Sequence, residues 1–261
     1  MLEVEMTRID VSKGEKKKAR DIVAEEKPLY VFLNRTLCAT ILCTPSRLKE
    51  LAIGHVLSEG IINSAEEIDE VELNEKDRLC RIRLKESVSL EKRLKLTKHF
   101  ARVVFTACGG DGPLQPSMRF AKIKSDLKVK AEFVLKSVNS LNRDAVTFRQ
   151  TGGVHAAALY KVTGTRVGFA EDVGRHNAVD KVIGIAAMDR ISPADCLMVL
   201  TGRLTADIVM KAARARVPIV ASLAAALDSG IAFAREVDLT LVGFARGNRL
   251  NVYASPERIL A

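Results

Sequence analysis

Strand-like and helical patterns alternate through the second half of the chain, and this alternation constrains the fold more than any other feature. Two strands are predicted within residues 154–171, on either side of Thr163-Gly164-Thr165. The elements predicted after them are helix 175–190, strand 196–200, helix 204–215, strand 218–222, helix 227–236, and strands 239–244 and 250–254. Alternation of this kind predicts an α/β layer in which the strands are mostly buried.

The first half of the chain predicts a different, mixed architecture. Residues 1–25 are polar and are expected to be poorly ordered or edge-like. Two apolar runs flank Asn34-Arg35 and predict a β-hairpin. A helix is then predicted from Thr44 as N-cap and Pro45 as first helical residue to a stop at Gly60. The remaining predicted elements are strands 68–73 and 78–84, helix 90–100, strand 103–105 and an amphipathic helix over 125–142.

Composition and charge restrict the class of partner. The net charge of +9, from 41 Lys and Arg against 32 Asp and Glu, favours an anionic partner. Aromatic residues make up 5% of the chain and Trp is absent, so stacking platforms for single-stranded nucleic acid are scarce. A phosphate-bearing small molecule is therefore favoured over nucleic acid. No apolar run reaches the roughly 18 residues of a membrane span, and the start of the chain has no secretory h-region.

Five cysteines are spread along the chain, and one of them lies in an unusual segment. An odd number at these spacings disfavours a disulfide scaffold and a metal site, and a reducing cytoplasm is expected. Cys108 lies in Thr106-Ala107-Cys108-Gly109-Gly110-Asp111-Gly112-Pro113, which cannot be a helix interior or a central strand. The segment predicts a mobile, accessible loop, where a thiolate can act as a nucleophile. The alternative is a turn that happens to contain a cysteine.

Three polar clusters follow predicted strands. Glu171, Asp172, Arg175 and His176 lie at a strand-to-helix junction, where backbone N–H groups and a helix N-terminus are available; a solvated cap with surface ion pairs is the alternative. Thr201-Gly202-Arg203 is a second such junction. The third cluster is the 244–249 segment, whose arginines can grip a pyrophosphate; its residues are Phe244, Ala245, Arg246, Gly247, Asn248 and Arg249. Among the histidines, His155 and His176 are favoured over His55 because they lie in polar, Gly-rich segments.

Five strings in this order resemble one known family. They are the end of the Thr44-Pro45 helix with the residues after it, Ser58-Glu59-Gly60-Ile61-Ile62, then Thr151-Gly152-Gly153-Val154-His155, Glu171-Asp172-Val173-Gly174-Arg175-His176-Asn177-Ala178, Thr201-Gly202-Arg203 and Leu241-Val242-Gly243-Phe244-Ala245-Arg246. Together, over roughly residues 26–258, the chain resembles the FdhD/NarQ family of formate dehydrogenase accessory sulfurtransferases. The resemblance implies a cytidine deaminase-like three-layer αβα domain over residues 106–261, opening with the cysteine loop. A smaller α+β domain is expected over residues 1–105.

The resemblance also implies a sulfur relay in the cytoplasm. A cysteine desulfurase would donate persulfide sulfur to Cys108. From Cys108 the sulfur would pass to the molybdenum (or tungsten) of a bis-guanine-dinucleotide pterin cofactor, Mo-bis-MGD. The cofactor would then be inserted into the formate dehydrogenase catalytic subunit. The 244–249 segment matches the family's cofactor-contacting stretch, so the cofactor is cargo and no catalytic metal is expected. Glu171, Asp172, Arg175, His176 and Arg203 are expected to line or brace the cleft. A homodimer is also implied.

The chain departs from the family pattern and leaves alternatives open. Asp111 stands where the family has a second loop cysteine, so no disulfide can close this loop, and its charge would raise the pKa of Cys108. Residues 222–226 also differ from the family pattern. One alternative is a non-catalytic carrier of the cofactor that recognises its guanine nucleotides. A zinc deaminase is a weaker alternative, because the His-x-Glu and Cys-x-x-Cys signatures are missing.

Overall fold

The computed structural model describes residues 1–90, 93, 102–104 and 120–261. Its first element is an antiparallel hairpin of β1 (Leu2–Asp10) and β2 (Glu15–Val23). Of the two expectations for residues 1–25, poor order is wrong and edge-like strands are confirmed, because the hairpin forms a two-stranded sheet of its own. The Asp10 carboxylate accepts hydrogen bonds from the N–H groups of Ser12 (3.0 Å) and Lys13 (3.2 Å), and Gly14 has a φ of 67°. This turn chemistry is the sequence signal for the hairpin.

A five-stranded sheet with the order β5-β6-β3-β4-β7 follows the hairpin. Its strands are β3 (Lys27–Leu33), β4 (Thr36–Cys43), β5 (Ile68–Asn74), β6 (Leu79–Leu84) and β7 (Arg102–Val104). The hairpin predicted around Asn34-Arg35 is confirmed by the pairing of β3 with β4. The predicted helix 90–100 lies almost wholly outside the described residues, and so does the predicted division between residues 105 and 106.

Helix α1 (Leu48–Ser58) begins three residues later than the Thr44-Pro45 pattern predicts. Thr44 is engaged elsewhere: its N–H donates to Asp172 Oδ2 at 3.1 Å, and its Oγ1 accepts from the N–H of Val173 at 3.1 Å. A contact between segments more than a hundred residues apart therefore overrides the local capping signal. The predicted stop at Gly60 is confirmed, since this residue has a φ of 72° just beyond the helix.

The second half contains a six-stranded sheet with helices on both faces. Its elements in chain order are β8 (Val129–Lys130), α2 (Ala131–Asp144), α3 (Val146–Thr151), β9 (His155–Lys161), β10 (Arg166–Asp172), α4 (Arg175–Met188), β11 (Cys196–Leu200), α5 (Ala206–Arg214), β12 (Ile219–Ser222), α6 (Asp228–Glu236), β13 (Thr240–Arg246), β14 (Arg249–Ala254) and β15 (Ile259–Leu260). Short 3₁₀ turns occupy Ala65–Glu67, Pro193–Asp195 and Pro256–Arg258. Each helix and strand from α4 to β14 agrees within two residues with the prediction. Among the described residues, no helix is long and apolar enough to span a bilayer.

Helix α2 begins at Ala131 instead of residue 125. Residues 125–128 form no helix, and Val129 and Lys130 pair in parallel with Ile259 and Leu260 of β15. The amphipathic pattern is correct from Ala131 onwards, because Val134, Val138 and Leu141 are buried against one face of the six-stranded sheet. A pairing with the far end of the chain leaves no local signal in residues 125–130.

The six-stranded sheet has the order β10-β9-β11-β12-β13-β14 and lies between two helical layers. Helix α2 covers one face, and α4, α5 and α6 cover the other with Val182, Ile208 and Phe233. Strands β10, β11, β12 and β13 run in the same direction. We call the edge where they end the carboxyl edge; it is marked by Asp172, Leu200, Ser222 and Arg246. The opposite edge is the amino edge.

Helices α1 and α4 cross backbone to backbone and join the two sheets. A Cβ on Gly54 of α1 would overlap the carbonyl oxygen of Asp180, and a Cβ on Gly184 of α4 would overlap the carbonyl oxygen of Glu50. Glycine is therefore required at this crossing in both helices, in spite of its poor helix propensity.

Candidate functional site at the carboxyl edge

The 244–249 segment lies at the carboxyl edge, where β13 turns into β14. Arg246, Asn248 and Arg249 are exposed, whereas Ala245 is buried. Phe244 adopts a φ of 50° where the register of the two strands shifts, and the Arg246 guanidinium lies 5.3 Å from the centroid of its ring. The turn therefore presents two exposed arginines beside a half-buried aromatic ring, a combination that suits a planar base and its phosphates.

The loop after β12 links this turn to the loop after β11. Phe244 donates its N–H to the carbonyl of Ala224 at 3.0 Å. The Ser222 hydroxyl donates to the carbonyl of Gly202 at 2.6 Å and accepts from the N–H of Ala224 at 3.0 Å. Sequence reasoning did not assign this bracing role to Ser222. The three successive loops of the carboxyl edge are thus hydrogen-bonded to one another.

Further along the same edge, His155 lies with two cationic residues, Arg175 and Arg203. A Cβ on Gly202 would lie 3.0 Å from Arg175 Cβ and 3.6 Å from His155 Nδ1, so glycine lets these side chains approach. Burial lowers the pKa of His155, and the charges of Arg175 and Arg203 lower it further. His155 is therefore neutral at pH 7, and the two guanidiniums make this part of the edge attractive to anions.

Thr201 fixes the orientation of His155. The Thr201 hydroxyl oxygen accepts from the N–H of Ala156 at 2.9 Å and lies 3.3 Å from His155 Nδ1. The Thr201 hydroxyl thus joins the His155 ring to the backbone of its own strand. The predicted Thr201-Gly202-Arg203 junction thus supports the neighbouring side chains of the edge.

Asp172 and Glu171 are not cleft residues and do not form a solvated cap. Asp172 is fully buried and pairs with Lys181 Nζ at 2.6 Å. It also accepts from Gly174 N–H and Asn177 Nδ2, both at 2.9 Å. Burial raises the pKa of Asp172, while the Lys181 ammonium and these hydrogen bonds oppose that effect. Since every one of these partners lies within the fold, Asp172 holds the start of α4 in place.

Glu171 braces a different element. Its carboxylate accepts from the backbone N–H groups of Thr147 (3.2 Å) and Phe148 (2.7 Å). Both N–H groups lie in the first turn of α3, where intrahelical acceptors are missing and a negative charge is favourable. Of the five residues predicted to line or brace the edge, Arg175 and Arg203 line it, whereas Glu171 and Asp172 brace it.

His176 is buried beneath the edge, between α4 and α5. Its side chain is 6% exposed, and its Nε2 lies 4.0 Å from Asp207 Oδ2. Burial lowers the pKa of His176 to about 3, and the charges of Lys211 and Arg175 contribute to the decrease. His176 is therefore a neutral packing residue at physiological pH rather than a group that binds a ligand at the surface.

Because the pKa of His176 is lowered, we expect the protein to lose stability in mild acid. Its folded-state pKa lies below the ordinary value of 6.5, so the unfolded chain binds a proton that the folded chain excludes. Stability from this residue is complete above pH 6.5 and decreases as the pH falls. We expect a loss of about 2 kcal/mol in the free energy of unfolding between pH 7.5 and pH 5. Urea denaturation of the wild type and His176→Gln across this range measures it, and equal pH slopes would contradict the assignment.

A second buried ionic cluster joins α1, α4 and α5. Lys211 Nζ lies 3.0 Å from both oxygens of Asp180 and 2.6 Å from Glu59 Oε1. Ser58 Oγ donates to Asp180 Oδ1 at 2.6 Å, and His55 Nδ1 lies 3.3 Å from Asp180 Oδ2. Sequence analysis missed this cluster; the polar spacing of residues 55, 58 and 59 on one side of an otherwise apolar helix was its only local signal. The carboxylates, the Lys211 ammonium and the Ser58 hydroxyl pair within the cluster, whereas His55 Nε2 has no hydrogen-bond partner among the described residues. The buried ion pairs give the cluster a structural role.

The cysteines of the described part of the chain are buried. Burial raises the pKa of Cys38, Cys43 and Cys80 to about 12 and also raises the pKa of Cys196. These four thiols are therefore poor nucleophiles at neutral pH. Cys108, together with Gly109, Gly110 and Asp111, lies outside the described residues. Within the described ranges, no three His, Cys, Asp or Glu side chains are grouped as ligands for a metal ion.

Comparisons with known proteins agree on one family. The sequence model of the FdhD/NarQ family matches residues 24–260. A protein of Sulfolobus acidocaldarius named sulfur carrier protein FdhD is 36% identical over 98% of this chain and 99% of its own length. The protein of that name in Bacillus subtilis is 35% identical over 94% of this chain and 93% of its own. A crystal structure of a proposed formate dehydrogenase accessory protein from Desulfotalea psychrophila matches with a TM-score of 0.80, 27% identity and 99% coverage of both chains.

Proposed function

Since this chain belongs to the FdhD/NarQ family, we propose that it is a sulfur carrier that serves formate dehydrogenase. Cys108 carries the sulfur as a persulfide. The donor is a cysteine desulfurase, and the acceptor is the metal of a bis-guanine-dinucleotide pterin cofactor, Mo-bis-MGD or its tungsten counterpart. The cofactor is cargo that goes on to the formate dehydrogenase catalytic subunit. A homodimer is the proposed assembly.

The state of the other thiols is the observation that carries this proposal. A persulfide carrier needs an accessible thiolate. The four described cysteines are buried, and the pKa of each is raised, so none of them suits this task. Cys108 is the remaining one of the chain's five cysteines, and Gly109 and Gly110 follow it in the sequence. Sulfur that loads on this protein is therefore assigned to Cys108.

Loading is an exchange between a thiolate and a persulfide. The Cys108 thiolate attacks the terminal sulfur of the donor's cysteine persulfide. The donor's S–S bond breaks as a new S–S bond forms on Cys108, and the donor's cysteine leaves as a thiolate. The single proton stays on the transferred sulfur, and no external oxidant is needed. Because the chemistry uses one carrier thiol, the proposal holds with Asp111 in place of a second loop cysteine.

The 244–249 segment is proposed to hold the guanine-dinucleotide part of the cofactor. Arg246 and Arg249 can each donate a pair of hydrogen bonds to phosphate oxygens, and Phe244 offers a face to the base. The two cationic residues beside His155 on the same edge, Arg175 and Arg203, extend the attraction for a ligand with several phosphates. This arrangement supports a ligand that lies along the carboxyl edge.

Sulfur loading is tested by intact mass after incubation with a cysteine desulfurase and cysteine. Wild type is expected to gain one sulfur atom that a reducing thiol removes, whereas Cys108→Ser is expected to gain none. Cys196→Ser is the matched control and should load normally, since Cys196 is buried with its Sγ directed at the carbonyl of Ser192 (3.7 Å). Failure of wild type to load with an active desulfurase would reject the relay. A carrier of the cofactor without sulfur transfer would then become the better assignment.

Nucleotide binding is tested separately with guanosine diphosphate. Arg246→Ala is expected to weaken its binding by about tenfold or more, because a hydrogen bond to a charged group contributes about 1.5–3 kcal/mol. Isothermal titration calorimetry measures the change. Arg143→Ala is the control, since Arg143 is an exposed arginine on α2, 3.5 Å from Asp144. Equal affinity of Arg246→Ala and wild type would remove Arg246 from the site.

A further inference from the structure

A cleft opens at the amino edge, away from the candidate functional site. Its volume is about 950 Å³, and its walls come from the ends of α4 and α5 on one side and from the Ala65–Glu67 turn and the ends of β5 and β6 on the other. It therefore lies between the two sheets. A cleft of this size is large enough for several side chains of another molecule.

The described lining of this cleft is mixed, with apolar residues beside polar and mostly basic ones. Its apolar members include Leu57, Ile68, Ile183, Ala187, Ile191 and Ala215. Four cationic residues, Lys85, Arg190, Arg214 and Arg216, also line it, against one acidic residue, Glu66. Lys85, Arg190 and Arg216 are exposed, whereas Arg214 donates to the carbonyl of Ser58 at 2.9 Å. The rim is therefore complementary to negative charge, while the walls can bury apolar side chains.

Arg190 and Arg216 occupy the same unusual position in two helices. Each follows the end of its helix with a positive φ, 55° and 62° respectively. The N–H of Arg190 bonds to the carbonyl of Ala187 and that of the next residue to the carbonyl of Ala186. Arg216 repeats the pattern, with bonds to the carbonyls of Ala213 and Ala212. Both helices thus end in a Schellman motif, whose left-handed residue is usually glycine.

Helix stability does not explain these two arginines. A residue with a side chain is disfavoured in the left-handed region relative to glycine, whereas a cation near a helix C-terminus gives only a small stabilisation. A basic residue inside the last turn would give the same stabilisation without strain, as Lys211 and Arg214 already do in α5. The two strained positions instead place guanidiniums on the rim of one cleft, and strain of this kind points to function.

We propose that the amino-edge cleft binds an acidic, amphipathic segment of a partner protein. Apolar side chains of the segment lie against Ile183, Ala187 and Ala215, and its carboxylates pair with Arg190, Arg216 and Lys85. A phosphate group is disfavoured next to the wall formed by α4 and α5, because the C-terminal ends of these helices carry a partial negative charge. The backbone N–H groups of a peptide are attracted to this partial negative charge.

The test uses the whole protein and a short fluorescein-labelled peptide in which glutamates alternate with leucines. Arg190→Gly/Arg216→Gly removes both cations and places the preferred residue in each Schellman motif, so its melting temperature should equal or exceed that of wild type. Its peptide Kd is expected to rise about tenfold. Lys85→Glu leaves both helices unchanged and should also weaken binding. The control, Arg47→Gly/Arg143→Ala, removes two exposed arginines elsewhere and should bind normally.

Four results would overturn the proposal, and the first three concern the peptide and the variants. They are no binding of the peptide to wild type, equal affinity of wild type and Arg190→Gly/Arg216→Gly, and equally tight binding of a peptide in which lysines replace the glutamates. Displacement of the bound peptide by inorganic phosphate at matched ionic strength would also overturn it and would assign the rim to a small anion. The proposal would be established if salt weakens peptide binding to wild type and if Arg190→Gly/Arg216→Gly and Lys85→Glu both bind the peptide more weakly.

Discussion

Asp180→Ala is expected to lower the free energy of unfolding by about 3–5 kcal/mol. Asp180 and Lys211 are almost fully buried, and the substitution leaves the Lys211 ammonium in the interior with Glu59 as its remaining carboxylate partner. Each partner stabilises the charged form of the other. The Lys211 charge lowers the pKa of Asp180, and the charges of Asp180 and Glu59 raise the pKa of Lys211, against the effect of burial on both. Denaturant unfolding at neutral pH measures the loss.

An exposed ion pair provides the control for Asp180→Ala. Glu132 and Lys136 lie 2.7 Å apart on α2, and both side chains are 71% exposed. Glu132→Ala is expected to change stability by no more than about 0.5 kcal/mol. A loss below about 1 kcal/mol for Asp180→Ala would show that water reaches the buried cluster and that its groups do not depend on one another.

Gly184→Ala is expected to destabilise the protein by about 3 kcal/mol or more, although alanine is the better helix former. The added methyl group would occupy the position of the Glu50 carbonyl oxygen. Backbone cannot rotate away as a side chain can, so α1 and α4 must separate along their whole contact. The loss of packing then far exceeds the roughly 1 kcal/mol gained in helix propensity. Thermal and urea unfolding measure the effect.

Gly152 is the matched comparison for Gly184. It has a φ of 63°, and a Cβ there would meet no atom within 4 Å. Gly152→Ala is therefore expected to cost only the strain of a left-handed alanine, about 1 kcal/mol. Similar losses for the two variants would show that the helix crossing is looser than its backbone contacts indicate.

Local patterns predict the second half of the chain well because its strands are short, apolar and buried. Strand Cys196–Leu200 is buried at every residue, and such a run gives the same signal whatever its neighbours are. The exposed turn between the last two strands is equally local, so the 244–249 segment is found where the sequence predicts it. Its use in binding the cofactor remains a prediction.

Several of the misplaced features depend on side-chain partners that no local pattern identifies. Thr44 reads as a helix cap, yet it binds the segment around Asp172. The sequence around Asp172 is typical of a surface carboxylate, but in the structure Asp172 is buried and pairs with Lys181. The ion pair of Asp180 and Lys211 cannot be predicted from α4 or α5 alone. Each residue is one polar position in a helix, and nothing in the sequence of one helix identifies its partner in the other. Cys108 lies outside the described residues, so its predicted loop is untested.

The backbone contact between α1 and α4 makes the two sheets cooperative. Neither helix can leave its neighbour without exposing the Asp180 cluster and the apolar residues beneath it, and both sheets rest on this pair of helices. Heating should therefore melt both sheets in a single calorimetric transition, with the calorimetric enthalpy equal to the van't Hoff enthalpy. A chain cut between the sheets would be expected to lose the fold of both pieces.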